Sequence, residues 1–275
     1  MNNIKKYIVI SFTYYFLLVG CSDLNKENII YFGIAQKPQN LDPRFQSDAA
    51  SERISALLYS SLFYFDKRYE IKSNIVDWNK VTPLKYKFKI KKQLPIFHHN
   101  KNMGIEDIIA TLNNLRSQHK SPFYLELKNI KNVIKLSEFN FEINLFKKDS
   151  NFLSRLAFYV LPVDLLHKNH NFSTNPVGSG PFKFIEKYPN LKIQRRIDSQ
   201  IIELVNIKDP TVRVLKLLNG EIDLLQNDLP LEMIKLLEAK EKIITLKEFG
   251  ANVSYIGFNL NDSLLKQHKF RKSLT

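Results

Sequence analysis

The stretch Val177-Gly178-Ser179-Gly180-Pro181-Phe182 is the most distinctive in the chain. Two glycines flanking one serine admit backbone conformations closed to other residues. Pro181 then fixes φ and opens a strand over Phe182 to Glu186. Gly178 lies next to Ser179 rather than two residues before it, so the spacing of a nucleophile elbow is missing and the segment reads as a turn. Strands and helices alternate on both sides of it. Ile29 to Ile34 is an apolar run of strand length, and Pro38 and Pro43 bracket the loop that follows. Asp48 caps a helix carrying Ile54, Leu57, Leu58 and Leu62 on one side. Tyr86, Phe88 and Ile90 alternate with Lys85, Lys87, Lys89 and Lys91, a half-buried strand with a solvated lysine face. Ile105, Ile108, Ile109 and Leu112 follow helical spacing, with Glu106 and Asp107 in the first turn. Phe139, Phe141, Ile143 and Leu145 alternate with Glu138, Asn140, Glu142 and Asn144 as a second strand. Asp209, Pro210 and Gly220 take the N-cap, first-turn and C′ positions of a helix. Ile222 to Leu225 and Val253 to Phe258 read as buried strands. The pattern predicts α/β or mixed α+β layers.

The chain has 275 residues, 41 lysines and arginines against 27 acids, and a net charge of +14. Hydrophobic residues make up 44%, which excludes a disordered tail, a collagen-like fibre and a polytopic membrane protein. One cysteine excludes a disulfide framework and a cysteine-based zinc cluster. No P-loop or dinucleotide glycine fingerprint is present. His98 with His99, and His167 with His170, lack a companion carboxylate or cysteine, so no metal site is assigned. The acids are scattered and nominate no acid–base pair. The expectation is therefore no enzyme, no cofactor and no metal. Trp78 reads as a packing anchor.

The N-terminus decides the compartment. Lys5 and Lys6 precede an uncharged apolar run from Ile8 to Val19, then Gly20 and Cys21. A basic start, a short apolar run and a small residue describe a secretory signal, too short to span a bilayer. Leu18-Val19-Gly20-Cys21 resembles the bacterial lipobox, which implies lipidation of Cys21 and removal of residues 1–20. Two acyl chains suffice for stable anchoring. A secreted, envelope-bound protein is not expected to bind nucleic acid, despite its basic charge.

Several segments in order resemble the extracytoplasmic solute-binding proteins of ABC importers, in the oligopeptide, dipeptide and nickel class (family 5). They are Asn40-Leu41-Asp42-Pro43, Leu57-Leu58-Tyr59-Ser60-Ser61-Leu62, Val76-Asp77-Trp78, Ile96-Phe97-His98, Glu106-Asp107-Ile108, the Val177 to Phe182 stretch, Asn219-Gly220-Glu221-Ile222-Asp223, Tyr255-Ile256-Gly257-Phe258-Asn259 and Phe270 to Leu274. The resemblance implies a periplasmic-binding-protein type II-like α/β fold, with residues 29–46 and 169–258 as the core of a first lobe. Residues 47–168 form an inserted subdomain of that lobe, residues 21–28 a tether, and residues 259–275 the start of a second lobe that is largely missing. In the family the loop before Asp42 lies by the ligand cleft, which assigns Lys37, Pro38 and Gln39 to the ligand. An acid is common where this chain has Lys37, so a cationic ligand group is not favoured there. Phe123 and Tyr124, after Ser121-Pro122, look like the family segment that lends an aromatic wall to the cleft.

The function implied is binding a peptide or another small solute and delivering it to ABC permease subunits, with the N-terminal lipid holding the receptor at the membrane. Nickel chelates, haem and sugars remain open as ligands. A cleft with one wall leaves ligand hydrated, so weak or no binding is expected of this stretch alone. The alternative is a degenerate surface lipoprotein or pseudogene product with a structural or adhesive role and no transport. Mass spectrometry of the N-terminal peptide is expected to find acylated Cys21; an unmodified Met1 start would overturn the lipobox.

Overall fold

A computed structural model describes residues 29–226, 229–247 and 255–274. The leader, Cys21 and the tether lie outside the described residues. The chain divides into two compact units at Pro230 and Leu231.

The first unit holds two cores. One is built on a five-stranded sheet of β1 (Ile29–Ile34), β8 (Phe182–Glu186), β9 (Leu191–Arg195), β10 (Ile201–Asn206) and β11 (Leu224–Leu225), in the order β11-β1-β10-β9-β8. β1 runs parallel to both β10 and β11, while β10, β9 and β8 are antiparallel neighbours. Helix α1 (Ala49–Leu58) starts as expected, with Asp48 Oδ1 accepting from the Ser51 N–H at 2.9 Å. It buries Ile54 and Leu58 with Leu41, Tyr59, Leu161, Phe172, Leu191, Ile193 and Leu204.

After the short antiparallel pair β2 (Tyr64–Phe65) and β3 (Ile71–Lys72), the other core lies under a four-stranded antiparallel sheet of β4 (Val76–Thr82), β5 (Lys85–Ile90), β6 (Ile130–Lys135) and β7 (Asn140–Leu145), in the order β4-β5-β7-β6. Helix α2 (Ile105–Ser117) packs on it through Ile105, Ile108, Leu112 and Leu115. Phe88 and Phe141 are direct cross-strand partners, and their rings stack at 4.8 Å. Trp78 meets Phe63 edge-on at 5.0 Å. Each fully buried phenylalanine here contributes ~1.5–3 kcal/mol of apolar burial.

The segments leaving and returning from this second core run side by side. Ser61 bridges Tyr159, the Leu62 N–H donates to the Phe158 carbonyl at 2.8 Å, and the Val160 N–H donates to the Ser60 carbonyl at 3.0 Å. The two cores therefore part near residues 60 and 160. Helix α1, placed within the insertion by the sequence reading, packs with the five-stranded sheet, and Leu62 lies beyond the helix in the other core.

Other expectations shift. Glu142, read as outward, is 6% exposed and pairs with Lys85 at 3.0 Å. β7 starts at Asn140, and Phe139 is exposed. The Ile222 to Leu225 strand shrinks to two residues at a sheet edge. Helix α5 (Pro210–Leu218) starts at its Asp209 cap, and in the second unit α6 (Leu231–Glu238) and α7 (His268–Lys272) are helical. Val253 and Ser254 lie outside the described residues, and Tyr255–Phe258 form no strand, with Tyr255 88% exposed. An apolar run becomes a strand only with a ladder partner and a cover, and this segment has neither among the described residues.

Gly178 and Gly180 are required for space, not for backbone angle. Among the described glycines only Gly220 has a positive φ, at 71°. A Cβ on Gly178 would fall on the Leu58 carbonyl oxygen, and one on Gly180 on the Leu57 carbonyl oxygen. Gly180→Ala is expected to destabilise the first unit by about 1–3 kcal/mol or more in denaturant unfolding. Gly257→Ala, whose added carbon meets nothing within 4 Å, serves as the neutral comparison. Equal midpoints for the two variants would refute the packing account.

Candidate functional site

The loop after β1 is held by a hydrogen-bonded knot. The Asp42 N–H donates to Asn40 Oδ1 at 2.9 Å, and the Asn40 N–H donates to Ser51 Oγ at 3.1 Å. Asp42, 5% exposed, receives Arg44 in a two-pronged contact, Nε to Oδ1 at 2.9 Å and Nη2 to Oδ2 at 2.7 Å. Arg44 Nη1 reaches across to Asn114 Oδ1 on α2 at 3.0 Å, and its guanidinium lies over Phe45 and Phe172. The buried Tyr59 hydroxyl donates to the Leu41 carbonyl at 3.0 Å, and burial together with the Asp42 charge pushes its pKa up. Burial by itself would raise the Asp48 carboxyl. Hydrogen bonds from the Ser51 side chain and from the backbone of Ser51, Gln39 and Ala50 outweigh it and hold the group below the ordinary range.

Lys37, Pro38 and Gln39 sit on this knot. Lys37 and Gln39 are exposed and Pro38 is half-buried. Phe123 and Tyr124 open the short helix α3 (Phe123–Glu126), whose first N–H donates to Ser121 Oγ at 3.2 Å. Phe123 is half-buried against the four-stranded core and meets Phe158 edge-on at 6.4 Å. Tyr124 packs on His119 and lines an open recess of about 380 Å³ with Arg116, Lys128 and Phe146. A second recess, about 490 Å³, lies between α2 and helix α4 (Val163–His167), and Asn114 in its wall carries the Arg44 contact. Neither recess is lined by Lys37, Pro38 or Gln39.

His98 has a structural post. The Gly178 N–H donates to its Nδ1 at 3.2 Å, so Nε2 carries the proton and donates to the Gly180 carbonyl at 3.3 Å. Burial pushes its pKa down to about 4, outweighing that second bond, and Arg196 and Lys183 nearby lower it further. Arg196 Nη1 adds a bond to the Ile96 carbonyl at 3.0 Å. His99 faces Asp164, which also accepts from Lys101 at 2.9 Å. His170 bonds the Asn175 carbonyl. Among the described residues, no three His, Cys, Asp or Glu side chains gather to hold a metal.

Residues 75–275 match the bacterial extracellular solute-binding proteins, family 5 Middle. The chain belongs to this family. The oligopeptide-binding protein AppA of Bacillus subtilis is 26% identical over 265 residues, covering 88% of this chain and 48% of AppA. The fold agrees with the crystal structure of NikZ from Campylobacter jejuni in complex with Ni(L-His), at a TM-score of 0.74 and 24% identity over 90% of this chain and 52% of NikZ. It agrees equally with AppA in complex with a nonapeptide, at 0.74 over 90% of this chain and 53% of that one. The mixed α/β, binding-protein fold is thus established. The chain spans about half the length of the relatives it matches. These family 5 relatives are solute-binding proteins rather than enzymes. No helix among the described residues is long and apolar enough to cross a membrane.

Sequence reading reached the family 5 loop but not its fastener. Arg44 stands two residues after Asp42, a spacing that allows the chelate, yet nothing local points to Asn114, 70 positions later. The His98-His99 pair carries no sequence signal for the role the fold gives His98, which clamps the glycine turn.

His98 sets a pH dependence. Its pKa drops from 6.5 unfolded to about 4 folded, so the unfolded chain takes up the proton first as pH falls. The stability it contributes is present above about 6.5 and is lost on acidification towards 4. Melting temperature should fall across that window, and less steeply in His98→Asn, which keeps an acceptor without the titration. Identical slopes would dispose of the neutral clamp.

Proposed function

We propose that the chain is the substrate-binding component of an ABC-type importer, taking a peptide as ligand and handing it to permease subunits. The observation that carries this reading is the family 5 match over residues 75–275, joined to the 26% identity with a protein named for oligopeptide binding. A small solute such as the nickel–histidine complex bound by NikZ is the neighbouring ligand class. Lys37, Pro38 and Gln39, on the knotted loop, and Phe123 with Tyr124, on the turn after Pro122, are the residues offered to ligand. Their support is the rigid seat of the first group and the partial exposure of the second. Binding needs shape and hydrogen bonding only, so no cofactor or reaction is assigned. Cys21, acylated after loss of residues 1–20, is proposed to hold the receptor at the extracytoplasmic face of the membrane. Two chains on one residue suffice for that.

Transport is tested in the source cell. Deleting the coding sequence is expected to lower uptake of a labelled peptide mixture, and a plasmid copy is expected to restore it. Peptide uptake that stays unchanged by the deletion would refute the peptide reading.

A further inference from the structure

Charge is uneven along the chain. Residues 61–160 hold 18 lysines and arginines against 9 acids, so this part carries nine of the fourteen net charges. Within it, Lys72, Lys85, Lys91, Lys101 and Lys135 each have a carboxylate in salt-bridge range. Lys120, Lys128, Lys131, Lys147 and Lys148 are exposed and, among the described residues, have none within 4 Å.

The fold gathers this second set. Lys120 follows α2, Lys128 precedes β6, Lys131 lies in β6, and Lys147 and Lys148 follow β7. The Asn129 side chain ties the β7 end to the β6 start, donating to the Lys147 carbonyl at 2.9 Å and accepting from the Lys147 N–H at 3.1 Å. Arg116 Nη2 donates to the Ile130 carbonyl at 2.6 Å. Two large apolar side chains project at the same end, Leu125 at 72% and Phe146 at 65% exposure. Phe146 shares the 380 Å³ recess with Arg116 and Lys128. Of the nearby acids, Asp149 is held by Arg155 at 2.8 Å and also feels the Lys147 charge, and Glu126 is the other acid beside the five lysines.

A single exposed phenylalanine or leucine is ordinary. Apolar tips ringed by unpaired lysines match a bilayer surface, where phosphates take the ammonium groups and the acyl boundary takes the tips. A dissolved anion has no use for the tips, and an aliphatic Leu125 offers no stacking platform for a base. We propose that this end of the four-stranded sheet docks on an anionic phospholipid surface, with Leu125 and Phe146 entering the headgroup boundary. The contact needs no acyl chain at Cys21.

The test uses the full chain with Cys21→Ser, which removes the only cysteine. An environment-sensitive dye is placed at Leu125→Cys. A reference dye is placed at Ile197→Cys, 90% exposed between β9 and β10, so that any effect of the leader is common to both. With phosphatidylcholine vesicles containing phosphatidylglycerol, the Leu125 dye should shift to the blue while the Ile197 dye does not, and added salt should reverse the shift. Lys128→Glu, Lys131→Glu and Lys147→Glu together should weaken vesicle affinity by on the order of a hundredfold, with an unchanged far-UV spectrum. The proposal is overturned by equal shifts at both dyes, by an equal shift on phosphatidylcholine alone, by unchanged affinity in the folded triple variant, or by an oligonucleotide reproducing the shift.

Discussion

Two pieces of backbone cross at van der Waals distance where Gly178–Gly180 passes the end of helix α1. The Gly180 N–H donates to the Leu58 carbonyl at 2.9 Å, and Ser60 Oγ donates to the Ser179 carbonyl at 3.1 Å. No side chain fits between the strands of this crossing. Helix α1 belongs to the five-stranded core, while His98, which bonds both glycines, stands next to Phe97 of the four-stranded core. The crossing is thus where two independent hydrophobic interiors are fixed against each other. The loop that carries Lys37 to Gln39 is fastened to the same helix through Tyr59 and Ser51.

Polar groups at this junction are arranged so that few charges are stranded. Asp42 is sunk almost completely, but it meets a planar cation with matching geometry, and that cation is in turn spread over two rings. His98 takes the opposite course and stays neutral, which suits a site that asks for one donor and one acceptor. Asp107 follows the first course with added backbone donors: its carboxylate accepts from the Gly104 N–H at the start of α2, from the Val163 N–H, and from Lys101. The Val163 contact to Asp107 and the His98 contacts to the glycines join segments distant in sequence.

Much of the fold was legible because its signals are local. The Lys85–Ile90 alternation, the Asp48 and Asp209 caps and the Gly220 stop each depend on neighbours a few positions away, and each appears where expected. The errors lie where distant partners decide. Glu142 reads as exposed until the diagonal salt bridge from Lys85 on β5 is seen, and Tyr255–Phe258 reads as a strand until its want of a ladder is seen. The glycine turn was recognised for the wrong reason, since crowding by α1 is invisible in a hexapeptide. For the site, position alone was legible. Pro38 and Pro43 mark a stiff loop, but the Arg44–Asn114 bond that seats it links residues 70 apart.

The adjacency of Ser60 and Val160 has an evolutionary side. A stretch whose two ends leave the scaffold side by side can be enlarged, shortened or exchanged without displacing the β-ladder it departs from. Surface chemistry on that appendage can then change without touching the other core. The five-stranded sheet keeps its strand order whatever the appendage becomes.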